Sequence, residues 1–450
     1  MDAPLFIWEG KDMEQTNYDL LLEMLHTEVK PALGCTGPIA ICYCAAEAAD
    51  AVKGGKIKKI IAKLDWGFGT KIDDVAFPGT QMLGAEMAVA MGAVCGDVSK
   101  GLEVLQGVTP EGELEARRIA ELVDVQPLWE RDRLGLYVDI TVETDVGNGR
   151  AVLAETMNGL LLKERDGEIL IQNEPAASFQ EGKSVMLQYK VADLYEFSKE
   201  VKVEDLDILK KAVEYNTILA DATIANNLGA GIGSALYKSK DGNIATRAKA
   251  YASAGCEARM SGVNSPAMSC GNKGNVGLAA SLPLISMARD LEIGEEQLLK
   301  SIALSYLTAI ALIHRLGKSP AVCSCEVAAA LGTAAGATFL QGGTCEQVEN
   351  AIHLTIPNVF GVVCDGAKLA CAMRISSGTG IALEAAALAL AGVRLANNQG
   401  VLAENADQSI DLLGKMALFS MVDSDRELGK MLFGKRRVFP LVSFADRQKQ

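Results

Sequence analysis

Residues 159–172 read Gly159-Leu160-Leu161-Leu162-Lys163-Glu164-Arg165-Asp166-Gly167-Glu168-Ile169-Leu170-Ile171-Gln172. An Asp-Gly pair between two apolar runs signals a tight hairpin, because both central residues of the favoured turn take a positive φ. The stretch therefore predicts strands at 159–164 and 168–172. Working outward, 137–142 and 151–155 have the same strand character, and 56–64 alternates basic with apolar residues. The four segments from 137 to 172 predict one antiparallel sheet, and 56–64 a further strand. Helical spacing marks 15–29, 39–52, 81–94 and 110–122 around it.

Strand signals fade after about residue 190. From residue 203 onward nearly every segment has helical spacing: 204–226, 246–256, 277–289, 295–316, 325–341, 345–353 and 380–395. Alanine and glycine fill these interiors, which lets helices approach closely. The fold class read from this pattern is α+β. An N-terminal α/β domain with an antiparallel sheet (1–200) precedes a C-terminal all-helical domain (201–450). The charged stretch Glu196-Phe197-Ser198-Lys199-Glu200 is read as the divide.

The chain has 450 residues, with 43 basic and 57 acidic side chains and a net charge of −14. That balance excludes a phosphate-binding basic face and so a nucleic-acid partner. A hydrophobic fraction of 49% excludes disorder. The apolar stretches 301–313 and 380–393 fall short of the roughly 20 residues a spanning helix needs. No basic segment precedes an apolar run at the N-terminus, so no secretory signal is expected. The expectation is a cytoplasmic protein with no membrane partner; a homodimer stays open.

There are 11 cysteines. In a reducing compartment they are expected to be thiols, and Cys42, Cys44, Cys95, Cys256 and Cys345 read as small buried hydrophobes. No CxxC pair occurs, so a zinc ribbon is not supported. Gly229-Ala230-Gly231-Ile232-Gly233 follows a helix rather than a strand and reads as a cap and turn, not a dinucleotide loop. No P-loop and no GxSxG elbow is present, and His26, His314 and His353 are scattered.

Three places are harder to explain as packing. Cys35 and Thr36 stand in a Gly-Pro loop at a helix N-terminus, where N–H groups favour an anion or a thiolate. Ser269-Cys270-Gly271-Asn272-Lys273-Gly274-Asn275 is a polar, donor-rich loop ahead of an apolar helix. Cys323-Ser324-Cys325-Glu326-Val327 is followed by Cys364-Asp365-Gly366-Ala367-Lys368-Leu369-Ala370-Cys371, which leads into Ser376-Ser377-Gly378-Thr379-Gly380. The residues alone leave these turns open between packing and a metal or cluster site.

On these strings the sequence resembles the L-cysteine desulfidase family, which is related to the α-chain of bacterial iron–sulfur L-serine dehydratases. The resemblance rests on Glu28-Val29-Lys30-Pro31-Ala32-Leu33-Gly34-Cys35-Thr36, Pro78-Gly79-Thr80, Ala258-Arg259-Met260-Ser261-Gly262, Gly271-Asn272-Lys273-Gly274 and the two cysteine segments. It implies a [4Fe–4S] cluster rather than pyridoxal phosphate, with Cys323, Cys364 and Cys371 as ligands. Cys323 is taken over Cys325 because relatives show Cys-x-x-Glu-Val, and Glu326-Val327 sets the register. Cys35 is implied as either a fourth ligand or a base, with Lys368 as the other candidate base. Thr36, Asn272, Lys273, Ser376, Ser377 and Thr379 are the candidate substrate-binding residues. For Ser376 to Gly380 a plain helix N-cap is an equal reading. Where relatives carry Gly-Cys-Thr-Glu-Pro, this chain has Gly37.

The implied activity is elimination of sulfide from L-cysteine, or a close β-substituted amino acid, to give pyruvate, ammonia and hydrogen sulfide. A hydro-lyase acting on serine or another hydroxy or amino acid is the alternative. A non-catalytic cluster-binding sensor is the third reading. The partner expected is a small amino-acid substrate.

Overall fold

Asp166 and Gly167 both adopt positive φ, 48° and 88°, and their turn joins the last two strands of a six-stranded sheet. The computed structural model describes residues 15–32, 36–72, 74, 77, 82–130, 135–157, 159–174, 184–240, 242–317 and 319–436. The first half runs α1 (Gln15–Glu28), β1 (Pro31–Ala32), α2 (Thr36–Val52), β2 (Ile57–Asp65), α3 (Trp66–Gly69), α4 (Ala85–Cys95) and α5 (Pro110–Ala120). It continues with β3 (Val123–Leu128), β4 (Tyr137–Thr144), β5 (Asn148–Ala154), β6 (Leu160–Arg165) and β7 (Glu168–Gln172).

The sheet order is β3-β2-β4-β5-β6-β7. Every pairing is antiparallel except β2 with β3, where Ile60 faces Val123 in a parallel register. The sequence did not mark β3 as a strand; the four strands it placed in one antiparallel sheet, β4 to β7, pair antiparallel. Strand β3 is short, contains Pro127 and sits at the sheet edge, where a missing N–H is tolerated. Helix α2 packs on β4, β5 and β6, and α4 packs on α2. The approach of α2 and α4 requires Gly92, since a Cβ there would lie 2.1 Å from the Cys42 carbonyl oxygen. Ile41, Cys42, Met87, Ile60 and Ile140 are fully buried between the layers.

The second half comprises α6 (Val191–Glu200), α7 (Asp207–Asn226), α8 (Ile232–Tyr237), α9 (Ile244–Met260), β8 (Ala267–Met268), α10 (Gly274–Asp290), α11 (Glu295–Leu316) and α12 (Ser324–Leu340). Then follow α13 (Cys345–Val359), α14 (Cys371–Leu390), α15 (Ala406–Lys415) and α16 (Val422–Arg436). Helices α9 to α12 and α14 form the centre of an alanine-rich core. Among the described residues α11 is the one helix long and apolar enough to cross a membrane, and 78% of its apolar window is buried inside this core.

The stretch 196–200 is not a divider. It lies within α6, whose Val191, Leu194 and Phe197 recur on one buried face. Helix α1 also joins the helical core: Leu21, Leu25 and Val29 are buried with Phe197 and Leu206. β1 then pairs with β8, Pro31 opposite Met268. At the far end of the chain α16 packs on α3. Arg426 lies 5.4 Å over the Trp66 ring, and Lys71 is paired with Asp425 at 2.7 Å.

Candidate functional site

Two loops are stitched together to make the site. Val322 and Val363 form an isolated antiparallel bridge. The Cys323 N–H donates to the Val362 carbonyl and the Cys364 N–H to that of Ala321, each at 2.8 Å. Cys323 is the N-cap of α12, its carbonyl accepting from the N–H groups of Glu326 and Val327. The loop after Cys364 turns at Gly366, which has φ of +96° and where a Cβ would stand 2.9 Å from the Lys71 carbonyl oxygen. Ala367 donates its N–H to that same oxygen, and Asp74 bridges Lys368. The cysteine loop of the helical half is thus docked on the segment following α3.

This arrangement gathers four thiols. Cys323 Sγ lies 3.4 Å from Cys325 Sγ. Cys371 Sγ donates to the Gly366 carbonyl at 3.6 Å. Cys364 acts on Cys323, and Cys371 on Cys325, strongly enough to shift their ionisation. Bonds from Cys325 and Cys364 hold the Cys323 thiol well below its ordinary value, assisted by the Arg374 charge and opposed by burial. A bond from Cys325 lowers Cys371, again against burial. Cys325 and Cys364 are pushed up.

Charged side chains surround the thiols. Arg374, one turn into α14, donates to Asp365 at 3.0 Å and to Glu326 at 3.4 Å. Burial opposes the Arg374 charge, but Cys323, Asp365 and Glu326 outweigh it and raise its pKa. Lys368 Nζ is paired with Asp365 and donates to the Gly366 carbonyl at 3.0 Å. Burial works against the Asp365 carboxylate, yet Lys368 and Arg374 hold it below its usual range. Burial and then the Cys323 charge raise Glu326.

A family model described as serine dehydratase alpha chain matches residues 99–428. The chain belongs to the serine dehydratase alpha chain family. It is 32% identical over 421 residues to a "UPF0597 protein" of Clostridium tetani, covering 92% of this chain and 98% of the relative. It is likewise 32% identical over 426 residues to a "UPF0597 protein" of Parabacteroides distasonis, covering 92% and 98%. The chain is a divergent member of this family, which is associated with iron–sulfur lyases.

The donor set suits an iron–sulfur group in its chemistry: thiols, Cys323 and Cys371 buried and Cys325 and Cys364 half-buried, beside Arg374 and Lys368. Cys323 and Cys325 meet sulfur to sulfur. Among the described residues no group of three or more His, Cys, Asp and Glu is arranged to hold a single metal ion.

Of the residues singled out in the sequence, Cys323, Cys364, Cys371 and Lys368 come together here. Cys325, Arg374, Asp365 and Glu326 join them. Cys325 was visible as a second cysteine in Cys-Ser-Cys; nothing in the string marked Arg374. Ser376, Ser377 and Thr379 do not form a loop or N-cap. Helix α14 starts at Cys371, so they lie within it. Ser376 and Thr379 are buried and Ser377 is exposed, so the three do not share a face.

Asn272 is engaged elsewhere. Its Nδ2 donates to Glu28 at 2.8 Å, and Glu28 lies 3.7 Å from His314 Nε2. His314 Nδ1 in turn contacts the Ser184 hydroxyl. Lys273 is the N-cap residue of α10. Cys35, Pro78, Gly79 and Thr80 lie outside the described residues, as does the Thr36 side chain. Helix α2 begins at Thr36, three residues before the predicted start. Gly37 is buried, and a Cβ there would lie 3.2 Å from Ile72 and 3.3 Å from Phe68. The carboxylate that relatives carry at this position would meet apolar groups.

Proposed function

We propose that this chain is an iron–sulfur lyase that eliminates sulfide from L-cysteine, or a close β-substituted amino acid, to give pyruvate, ammonia and hydrogen sulfide. The observation that carries the reading is the convergence of Cys323, Cys364 and Cys371 on one buried, cation-flanked site. Those three thiolates would hold a [4Fe–4S] cluster. When bound, the cluster supplies a Lewis-acidic iron.

The chain's own residues prepare the site. Arg374 and Lys368 both bind Asp365, so the Cys364–Cys371 loop is braced at two points. Burial of the thiols excludes water, which strengthens the pull of those cations on an anion entering the site. Elimination removes the Cα proton and breaks the bond from Cβ to sulfur. The resulting aminoacrylate tautomerises, then takes up water to release pyruvate and ammonia. Cys35 and Lys368 remain the two proposed bases. For Lys368 that role means leaving Asp365, to which its ammonium is now bound. Thr36, Asn272, Lys273, Ser376, Ser377 and Thr379 remain the proposed substrate contacts; Asn272 first has to release Glu28.

The family match supports a second reading, a hydro-lyase acting on L-serine. Anaerobically purified protein should contain about four irons and four sulfides per chain and form pyruvate from one of the two amino acids. Sulfide release with pyruvate from L-cysteine supports the first reading; pyruvate from L-serine alone replaces it with the second. Iron-free protein with full turnover overturns the cluster in both. A loaded cluster with no turnover of any small β-substituted amino acid leaves the sensor reading in their place.

A further inference from the structure

We propose that Cys323 and Cys325 form a reversible disulfide with each other when the chain meets a small disulfide oxidant, and that this bond switches the site off. The disulfide belongs to the chain's own thiols; only its effect on iron rests on the cluster reading above.

The observation behind it is a direct contact. Cys323 Sγ and Cys325 Sγ lie 3.4 Å apart, and both are free thiols. Their backbone is held from both sides. The Cys323 N–H donates to the Val362 carbonyl at 2.8 Å, and the Cys323 carbonyl accepts from the N–H groups of Glu326 and Val327 at 3.1 and 2.8 Å. Cys323 is the N-cap of α12, and Cys325 stands in its first turn. Closing the gap to a bonded pair, about 2.05 Å, takes rotation of the two side chains and no movement of the helix.

Thiols elsewhere in the fold face other partners. Cys44 donates to the carbonyls of Val138 and Ala151, at 3.6 and 3.3 Å. Cys270 donates to the Tyr306 carbonyl at 3.5 Å. Those are the partners of a thiol serving as a small core residue.

Exposure sets the order of events, because Cys325 is half-buried and Cys323 only 3% exposed. The Cys325 sulfur attacks the disulfide reagent, forming a mixed disulfide and releasing one thiol. Cys323 then attacks the Cys325 sulfur, and the second reagent thiol leaves. Two electrons and two protons pass from the cysteines to the reagent, which ends as two thiols. The bond closes a small ring across Ser324 at a half-buried position, and strained or accessible disulfides are the ones a thiol reductant reopens. In a reducing compartment, transient bonds of this kind serve redox sensing. While it is closed, Cys323 is withdrawn from the proposed ligand set.

The test compares the full-length wild type, Cys325→Ser and, as a half-buried thiol control, Cys345→Ser, with circular dichroism to confirm folding. Each is equilibrated anaerobically with mixtures of oxidised and reduced glutathione, then denatured and blocked with iodoacetamide. Trypsin and Glu-C together release residues 319–326, which hold Cys323 and Cys325 and no other cysteine. In oxidised glutathione the wild-type peptide should appear unblocked and two hydrogens lighter by mass spectrometry. After dithiothreitol it should be doubly blocked. Oxidised wild type and Cys345→Ser should lose most of their iron uptake on anaerobic reconstitution and regain it with dithiothreitol. Cys325→Ser should keep its uptake after the same oxidation.

A 319–326 peptide that stays doubly blocked across the glutathione range overturns the proposal. So does a bond from Cys323 or Cys325 to Cys364 or Cys371 instead. A disulfide that leaves iron uptake unchanged, or an equal loss of uptake in Cys325→Ser, overturns the switch. Reduced wild type that takes up no iron overturns the cluster reading and leaves the disulfide standing, so the iron content of the reduced protein separates the two failures.

Discussion

Val322 and Val363 meet in an antiparallel bridge, and that single pairing lays Cys323 beside Cys364. The two cysteines are 41 residues apart in sequence (364 − 323). The hydrogen bonds on either side of the bridge are made by their own backbone N–H groups, so they survive a change of side chain. Cys364→Ala should therefore fold, with stability lowered by about 1 kcal/mol. It should bind markedly less iron than wild type after anaerobic reconstitution. Full iron retention in Cys364→Ala would remove Cys364 from the ligand set.

Arg374 is bound to Asp365 and Glu326 together. Arg374→Met leaves both carboxylates without that cation, and should destabilise the fold by about 2–3 kcal/mol. Arg374→Lys should recover part of the loss, because an ammonium restores the charge but not the two-pronged geometry. Chemical denaturation of the three proteins, read alongside iron content, checks both statements. Equal stability of Arg374→Met and wild type would count against the charge argument.

Lys71 and Asp425 tie the docking segment of the cysteine loop to α16, with side-chain exposures of 10% and 1%. Burial raises the Asp425 pKa, while Lys71 pulls it down. Because the folded value lies above the unfolded one, this carboxyl favours the fold most at low pH, and that contribution is lost as pH rises through the folded value. Removing the cation in Lys71→Met sharpens the effect. The loss should be about 3 kcal/mol at neutral pH and shrink as pH falls below the raised value. Denaturation at several pH values tests this, and a pH-independent penalty would contradict it.

Asp407 accepts the Val191 N–H at 2.9 Å and so positions the start of α6. Burial raises its pKa, opposed by that bond and by Arg315 and Lys190. The sign is again that of a group whose ionisation disfavours the fold. Asp407→Asn retains an acceptor without the charge. Its melting temperature should rise by about 1–2 °C at pH 7, with no gain below the unfolded carboxyl range near 3.8. A lower melting temperature at pH 7 would refute this.

Gly277 in α10 is pressed on β8, and a Cβ there would sit 1.9 Å from the Met268 carbonyl oxygen. Gly277→Ala should therefore destabilise by about 1–3 kcal/mol through overpacking. Gly434→Ala, also within a helix and with nothing within 4 Å, is the control and should not destabilise. Comparing their denaturation midpoints tests whether the approach, rather than loss of a glycine, is responsible.

Local pattern alone determined much of this protein. The hairpin at Asp166-Gly167 is written in its turn residues, and the helical half in long alanine-rich periods; 295–316 was legible to the residue because its periodicity runs uninterrupted. The segments Cys323–Val327 and Cys364–Cys371 stood out from their own residues, and the family resemblance picked Cys323, Cys364, Cys371 and Lys368 within them. Tertiary structure decided the rest. Strand β3 pairs parallel with a segment about 60 residues earlier, a choice that no local period records. Helix α14 begins at Cys371 because the loop before it is pinned on Lys71, so Ser376 and Thr379 are buried helix residues instead of loop donors. The charge of 196–200 masked the buried spacing of Val191, Leu194 and Phe197. Cys325 joined the site only when the first turn of α12 set its sulfur 3.4 Å from Cys323. Sequence names the groups able to do the chemistry; which of them meet depends on backbone pairings between residues far apart in the chain.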